Sequence, residues 1–303
     1  MDRQVLNAKV PRAASEPPSP SIEAAPPVGG WWRRRWASMT GAPAAGSPAA
    51  DPRAAVSDYE RRFTENTSEN LFRGVFDSAE AARRSAPDTR PIGYDNPESA
   101  ALYFGRMRHE QYDYPAMFWM QQALQAGMRS IFDVGGHVGI KFYAFSEPLA
   151  LPADTRWLVC DVPAVVERGT AVAARRAVNE RLSFTPRYEA LDGHDLLFAS
   201  GALQYLPMTL AQWLDTIARR PRRIVINTTP VHPQFDFHTL NGIGTAYCPY
   251  HVFAETPFLE GLAQRGYVLR DRWINPDKRL TLPGDPAHSL DHYSGFCFDL
   301  NAG

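Results

Sequence analysis

The sequence predicts an α/β protein with a doubly wound, mostly parallel sheet, and three observations support this prediction. Short apolar runs alternate with amphipathic helical patterns from residue 128 onward. A glycine-rich turn follows the first run and leads into a helix, with the sequence Gly135-Gly136-His137-Val138-Gly139. Asp161 ends the second run 28 residues after Asp133, which is about the length of one βαβ unit.

The composition indicates one large domain with attachments. The chain has 303 residues, of which 44% are hydrophobic, and a formal net charge of -1. The sequence has no basic stripe, so it does not predict nucleic-acid binding. Cys160, Cys248 and Cys297 are too far apart for a disulfide framework, and the histidines lack the spacing of a helical zinc site. We therefore predict no metal, no transmembrane segment and a cytoplasmic location.

Residues 1–58 are predicted to be a disordered tail. Pro and Ala contribute 9 and 13 of the first 60 residues, which leaves little apolar surface to bury. No apolar segment typical of a secretory signal follows the start, and Asp2, Glu16 and Glu23 argue against an organellar transit peptide. Within the tail, the run from Trp31 to Trp36 is either an anchor for a membrane surface or partner, or a solvated basic patch.

Residues 59–127 are predicted to form a helical cap before the first strand. Apolar residues recur at helical spacing over residues 97–108 and 114–126, a short helix is expected over 78–84, and Gly127 provides a C-cap. Three aromatic residues in this region either cover a ligand or belong to the core: Tyr103, Phe104 and Tyr112.

Residues 128–303 are predicted to form a Rossmann-like domain. After the run that ends at Asp133, strands are expected over residues 157–160, 182–185, 195–200 and 223–227. Helices are expected between them, over residues 140–147, 164–177 and 210–219. A long loop over residues 228–247 and a helix over 251–264 should follow, and then strands over 267–273 and 292–298. The last strand would return to the sheet in the antiparallel direction.

The glycine turn and Asp161 together suit a nucleotide-type ligand. Gly135 and Gly136 let the backbone approach a ligand closely, the amides at the helix start attract an anion, and Gly139 allows tight packing of helix on sheet. By itself such a turn is either a ligand site or only a tight turn. Asp161 is placed to accept hydrogen bonds from a ribose, or to cap the helix that begins near Pro163, and the two roles are compatible.

These motifs resemble those of the class I S-adenosylmethionine-dependent methyltransferases. The stretch from Phe132 to Gly139 resembles the first motif of that superfamily, Cys160-Asp161-Val162-Pro163 resembles the second, and residues 195–200 resemble the fourth strand. A closer resemblance, over about residues 70–300, is to a small family of bacterial methyltransferases. It includes Phe72-Arg73-Gly74-Val75-Phe76, Gly93-Tyr94-Asp95, Leu203-Gln204-Tyr205-Leu206 and Thr229-Pro230. One departure is His137, which stands where many methyltransferases have a middle glycine.

The resemblance implies a seven-stranded sheet with the last strand antiparallel, S-adenosylmethionine as cofactor and a small-molecule or sugar hydroxyl as acceptor. It implies that the turn residues contact the cofactor, that Asp161 holds its ribose beside Val162, and that Asp133 supports the turn or reaches the cofactor's amino group through water. The implied turn residues are Gly135, Gly136, His137 and Gly139, and the implied neighbours of the methionine part are Ser200 and Gly201.

Candidate acceptor and catalytic residues lie further along the chain. Gln204, Tyr205 and His238 are candidates for orienting the acceptor, although Tyr205 is equally explained as a packing residue. His232 is the candidate base because it lies nearest the end of the fifth strand, and the alternative is a turn residue ahead of Pro233. The other candidate bases are Asp236, His238 and His251.

Two other functions are compatible with the sequence. The first is a methyltransferase-like binding protein that keeps the cofactor pocket without catalysis. The second is an NAD(P)-dependent oxidoreductase, which would use the same turn and ribose acid but should carry a regular G-x-G-x-x-G. The oligomeric state is not predicted.

Overall fold

A computed structural model of the chain describes residues 52–96, 98 and 107–301. The strands it describes are β1 (Leu71–Phe76), β2 (Ser130–Val134), β3 (Arg156–Cys160), β4 (Leu182–Thr185), β5 (Leu196–Ser200), β6 (Arg223–Thr229), β7 (Val231–His232), β8 (Phe237–Gly242), β9 (Tyr247–Ala254), β10 (Tyr267–Asn275) and β11 (Tyr293–Leu300). The helices it describes are α1 (Pro52–Glu65), α2 (Ala79–Arg84), α3 (Tyr114–Gln125), α4 (Ile140–Ser146), α5 (Pro163–Arg175), α6 (Leu210–Asp215) and α7 (Glu255–Ala263). The predicted tail up to residue 51, with its Trp31–Trp36 run, and most of the helix predicted over residues 97–108 lie outside the described residues.

Seven strands form the main sheet, in the order β4–β3–β2–β5–β6–β11–β10. The first five of these are parallel, as their pairings β3–β4, β2–β3, β2–β5 and β5–β6 show. Strand β11 is antiparallel to both of its neighbours, β6 and β10. The predicted doubly wound sheet with a reversed last strand is therefore confirmed.

Both faces of the main sheet are covered, and alternate residues of each strand enter opposite cores. Ile131, Phe198 and Val225 pack with α3 and α4 on one face. Their immediate neighbours Phe132, Leu197 and Ile224 pack with α6 and α7 on the other. The short apolar runs in the sequence are uninterrupted because each of these strands is buried on both sides.

Local sequence signals set the ends of several helices. Ser78 caps α2 by accepting a hydrogen bond from the backbone of Ala81 at 3.1 Å, and α3 is followed by Gly127 with φ of +80°. The helices predicted over residues 78–84 and 114–126 are thus confirmed within two residues. Helix α5 begins with Pro163, whose fixed φ suits the first helical turn.

A second, four-stranded sheet has the order β1–β8–β9–β7. It corrects three predictions. The predicted loop over residues 228–247 contains β7 and β8, the helix predicted from residue 251 begins at Glu255 because β9 extends to Ala254, and the predicted helical cap contains β1. The pairing of β1 with β8 also crosses the domain boundary predicted at residue 128. A fourth correction is that α1 begins at Pro52, inside the predicted tail.

The structure bears on the cysteines, the helices and the metal-ligating residue types over the part of the chain that it describes. Cys160, Cys248 and Cys297 are free and buried. Among the described residues, none of the helices has the length and apolar character needed to cross a bilayer. The same residues contain no group of three or more His, Cys, Asp or Glu side chains arranged to hold a metal ion.

Candidate functional site

The glycine turn joins β2 to α4 at the carboxyl edge of the main sheet. Gly135 has φ of +68° and donates its backbone N–H to Cys160 O at 2.8 Å, which ties the turn to the end of β3. His137 also takes a left-handed conformation, with φ of 54°. An L-residue is disfavoured in this conformation by about 1–2 kcal/mol relative to glycine. The turn nevertheless forms with His137 in place, and the His137 ring packs edge-on against Tyr94.

Steric contacts explain why two of these positions are glycine. A Cβ on Gly136 would lie 2.3 Å from Oδ2 of Asp133, and a Cβ on Gly135 would lie 2.4 Å from the Cβ of Ala202. Both separations are shorter than any van der Waals contact. The turn can therefore sit directly on Asp133 only because Gly136 has no side chain.

Asp133 lies beneath the turn and supports it. Its side chain is 1% exposed and its Oδ2 accepts a hydrogen bond from Nε1 of Trp157 at 3.0 Å. Burial raises the pKa of Asp133 to about 7. Of the two roles that the resemblance implied for this residue, the geometry favours support of the turn over contact with a cofactor.

Asp161 connects the end of β3 to the glycine turn. Its Oδ2 accepts the backbone N–H of His137 at 2.9 Å and its Oδ1 accepts that of Val162 at 2.8 Å. Burial raises the pKa of Asp161 to about 6, while these two hydrogen bonds act in the opposite direction. The alternative role as a helix cap is filled by another residue, because Oδ1 of Asp95 accepts the N–H of Ala164 in the first turn of α5.

A second group of polar side chains lies at the ends of β5 and β6. Oγ of Ser200 lies 3.4 Å from Oγ1 of Thr228, and Thr228 has φ of 53°. A β-branched residue in this conformation is a genuine outlier, and such strain is concentrated at functional sites. A Cβ on Gly201 would lie 3.2 Å from Oγ1 of Thr228 and 3.9 Å from Nε2 of Gln204. Gly201 thus leaves a small space between a hydroxyl and an amide.

Gln204 faces this space, whereas Tyr205 faces the second sheet. Gln204 is 4% exposed, hydrogen-bonds to the Tyr250 hydroxyl, and has no partner for its Oε1 among the described residues. A buried amide oxygen without a partner is costly, which makes Gln204 a good candidate for ligand contact. The Tyr205 hydroxyl donates to Oδ1 of Asn241 at 2.8 Å, and its ring packs edge-on against Tyr250.

Both ring nitrogens of His232, the candidate base, are hydrogen-bonded to the backbone. Its Nδ1 accepts the backbone N–H groups of Gln234 and Phe235 at 3.0 and 2.9 Å, and its Nε2 donates to Ala287 O at 2.9 Å. Burial lowers the pKa of His232. This geometry favours the alternative that the sequence also offers, in which His232 organises the turn before Pro233.

The remaining candidate bases lie together on the second sheet. The rings of His238 and His251 stack with centroids 4.4 Å apart, and Nε2 of His251 lies 2.7 Å from Oδ1 of Asp236. Burial lowers the pKa of His238 to about 4. These residues belong to β8, β9 and the turn before β8.

The sequence analysis missed Asn227, which organises the end of β6. Asn227 is fully buried and donates from Nδ2 to Tyr112 O and to Oδ1 of Asp113, both at 3.2 Å. Its Oδ1 accepts from Nε1 of Trp273 at 3.1 Å and from Nδ2 of Asn275 at 3.0 Å. The available signal was a polar residue at the end of an apolar strand, next to the equally polar end of β5.

The chain is similar to several solved protein structures. No family model matches the chain, and no curated protein matches it. One similar structure is 1,6-didemethyltoxoflavin-N1-methyltransferase of Burkholderia thailandensis with bound 1,6-didemethyltoxoflavin and S-adenosylhomocysteine, at 16% identity and a TM-score of 0.43 over 84% of this chain and 93% of that one. A second is OxaC in complex with S-adenosylhomocysteine and oxaline, at 13% identity and a TM-score of 0.46 over 69% of this chain and 52% of OxaC.

A third is an S-adenosylmethionine-dependent methyltransferase of Mesorhizobium loti, at 15% identity and a TM-score of 0.40 over 62% of this chain and 97% of that one.

The strand order of the present chain defines its fold independently of these similarities. Five parallel strands, a glycine turn after the central one, and an antiparallel strand inserted before the edge strand are its defining features. This chain has the Rossmann-like fold of the class I S-adenosylmethionine-dependent methyltransferases.

Proposed function

We propose that this protein binds S-adenosylmethionine at the carboxyl edge of its main sheet and transfers the methyl group to a small-molecule acceptor. The observation that carries this proposal is the position of Asp161, which directly follows β3 and holds the backbone of the glycine turn after β2. In an open α/β sheet, ligands bind beyond the carboxyl ends of the strands where the strand order reverses. In this sheet β3 and β5 lie on opposite sides of β2, so the reversal falls at the glycine turn.

The residues at this edge fit the cofactor by their chemistry. The carboxylate of Asp161 retains lone pairs that can accept the two hydroxyl protons of a ribose. Gly135 and Gly136 bring the backbone close without side chains, and Val162 contributes an apolar surface beside the acid. Ser200 and Gly201, at the end of β5, would lie by the methionine part, and Gln204 supplies a buried amide oxygen for a donor on a ligand.

When bound, the cofactor supplies a methyl group that is already activated by its sulfonium. The protein therefore mainly has to position an acceptor in line with that methyl group and to exclude water. Ser200 and Thr228 present hydroxyls at one point of the edge, and Gln204 presents an amide beside them. These neutral groups suit the orientation of an acceptor hydroxyl, which is the acceptor type we propose.

The sheet order also bears on the oxidoreductase alternative. Dinucleotide-binding sheets of the doubly wound type run in the order 3-2-1-4-5-6 with parallel strands. Here an antiparallel strand, β11, lies between the fifth strand and the edge strand β10. This insertion, together with the irregular spacing of Gly135, Gly136 and Gly139, supports the methyltransferase over the oxidoreductase.

Methyl transfer is tested with S-adenosylmethionine that carries a trideuterated methyl group. The protein is incubated with this donor and a pool of small phenols and sugars, and products are analysed by mass spectrometry. We expect S-adenosylhomocysteine and a product with the mass increment of one trideuteromethyl group in equal amounts. If the donor binds and neither product forms with any acceptor in the pool or in a metabolite extract, the protein is the non-catalytic binding protein instead.

A further inference from the structure

Gln204 begins a line of hydrogen bonds that connects the end of β5 with the second sheet. It lies in a single helical turn, Leu203–Tyr205, that follows shortly after Gly201. The Gln204 side chain hydrogen-bonds to the hydroxyl of Tyr250 in β9. That hydroxyl donates at 2.8 Å to the hydroxyl of Tyr293, the first residue of β11. Three side chains from distant segments of the chain are thus joined in one line.

The two tyrosines set the direction of these hydrogen bonds. Burial raises the pKa of both Tyr250 and Tyr293, so each hydroxyl keeps its proton at neutral pH. Tyr250 gives its proton to Tyr293, which leaves the Tyr250 oxygen as an acceptor only. The group of Gln204 that bonds to Tyr250 is therefore its amide NH₂. The amide oxygen, Oε1, is the end of Gln204 that remains for another partner.

The amide oxygen of Gln204 is buried beside the proposed ligand site. Gln204 is 4% exposed, and over the part of the chain that the structure describes its Oε1 accepts no hydrogen bond. The amide lies next to Gly201, because its Nε2 is 3.9 Å from the position that a Cβ would take there. A buried acceptor without a donor is costly to the folded protein. A ligand with a donor at this point would remove that cost.

We propose that Tyr293 sets the ligand specificity of the carboxyl edge by fixing the Gln204 amide with its oxygen toward the ligand, so that the edge selects an N–H or O–H donor. This inference rests on the proposed function, because it takes this edge to be the ligand site. Tyr293 is a positioning residue, since it acts through Tyr250 and Gln204. Two sources have the required chemistry: the amino group of the cofactor's methionine part, and an N–H or O–H group of the methyl acceptor.

The variant Tyr293→Phe should reverse the Gln204 amide. Without the Tyr293 oxygen, the buried Tyr250 hydroxyl has to give its proton to another group, and the Gln204 side chain is already bonded to it. Rotation of the amide brings Oε1 to that proton and turns the NH₂ toward the ligand. A preference for a donor then becomes a preference for an acceptor, which a loss of packing alone would not produce.

Two pairs of probes measure this preference. Indole carries an N–H donor and quinoline carries a nitrogen acceptor on an aromatic bicycle of similar size. Their binding in the presence of S-adenosylhomocysteine is measured by ligand-observed NMR. S-Adenosylhomocysteine itself is compared by calorimetry with 5′-methylthioadenosine, which lacks the amino-acid part and its amino group.

Two further variants make the test specific. Tyr267→Phe is the matched control, because it removes another buried tyrosine hydroxyl, which donates to Pro221 O at 2.8 Å. Gln204→Met removes the amide and keeps a side chain of similar length. We expect Tyr267→Phe to retain the preferences of the wild type and Gln204→Met to lose them.

If the methyl acceptor supplies the donor, the wild type should bind indole about tenfold more tightly than quinoline, and Tyr293→Phe should reverse this order. If the cofactor supplies it, Tyr293→Phe should weaken S-adenosylhomocysteine about tenfold relative to 5′-methylthioadenosine. The proposal is overturned if neither preference differs between the wild type and Tyr293→Phe, or if Tyr267→Phe changes them equally. Failure of the wild-type protein to bind either nucleoside would instead overturn the proposed function.

Discussion

Replacing Asp161 by Asn tests whether this carboxylate holds both the glycine turn and a ribose. Each carboxylate oxygen accepts one backbone N–H, from His137 at 2.9 Å and from Val162 at 2.8 Å. An Asn side chain has the same shape but only one oxygen. One of the two N–H groups would therefore face an amide NH₂, and a bound ribose would lose its charged acceptor.

The expected magnitude follows from these contacts. Leaving one buried N–H without an acceptor costs about 1–3 kcal/mol of folding free energy. Hydrogen bonds to a charged group contribute about 1.5–3 kcal/mol, so the affinity for S-adenosylhomocysteine should fall about ten- to hundredfold. 5′-Methylthioadenosine should lose as much, because it carries the same ribose.

The matched control is Asp95→Asn, which removes a charge from the same region. Asp95 uses a single oxygen to cap Ala164, and an Asn side chain keeps that hydrogen bond. Calorimetric titration should therefore give wild-type affinity for Asp95→Asn and the loss only for Asp161→Asn. Equal affinities of the wild type and Asp161→Asn would refute the assignment of the ribose to Asp161.

The pH dependence of binding gives a second test of Asp161. Burial raises its pKa to about 6, and a ribose hydroxyl needs the ionised form as acceptor. Affinity for S-adenosylhomocysteine should therefore fall as the pH is lowered from 8 to 5 in the wild type. In Asp161→Asn this part of the pH dependence should be absent, and its persistence would assign the titration to another group.

Three further predictions concern the supporting residues. His232→Ala removes three hydrogen bonds and should lower the free energy of unfolding by about 2–4 kcal/mol while leaving nucleoside affinity intact. Unchanged stability with reduced turnover would instead support a role of His232 as the base. Burial raises the pKa of Asp133 in the folded protein to about 7, which is above its value in the unfolded chain. The contribution of Asp133 to stability is therefore fully present below the unfolded-state pKa and is lost as the pH rises through 7. Asp133→Asn should therefore gain melting temperature relative to the wild type between pH 5 and 8, and a constant difference would contradict the assignment. Gly136→Ala places a Cβ 2.3 Å from Oδ2 of Asp133, so it should destabilise the fold by about 1–3 kcal/mol and weaken nucleoside binding. Wild-type stability together with wild-type nucleoside affinity would show that the turn is not held in this position.

The main sheet was predictable because its strands are buried on both faces. Such strands appear in the sequence as uninterrupted apolar runs, and the acids Asp133 and Asp161 mark the end of one run and the position after another. Glycine positions that require a positive φ, such as Gly135, supplied the second signal. The predicted order of strand, turn, helix and strand could therefore be obtained from local pattern alone.

The second sheet was not predictable in this way because its buried positions include polar residues. In β8, Thr239 donates to Arg73 O at 3.1 Å and Asn241 donates from Nδ2 to Leu71 O at 3.0 Å, so both are satisfied by the backbone of β1. Polar residues that depend on a distant strand for their partners resemble a loop in the sequence. Pro249 within β9 also departs from the usual strand pattern, since proline is rare inside strands.

The candidate site was predictable only where it is local. The glycine turn and Asp161 fall within about thirty residues and follow a known spacing. The hydrogen bonds of Asn227, in contrast, join three distant segments of the chain, because its partners are Tyr112 and Asp113 on one side and Trp273 and Asn275 on the other. The surroundings of His232 could not be predicted for the same reason, because its partner Ala287 is 55 residues away in the chain.

The most direct test of the central claim is an equilibrium titration of the wild-type protein with S-adenosylhomocysteine and, separately, with NADH. The account predicts saturable one-to-one binding of S-adenosylhomocysteine that is strongly reduced in Asp161→Asn, and no binding of NADH at the same concentrations. Binding of NADH without binding of S-adenosylhomocysteine would contradict it.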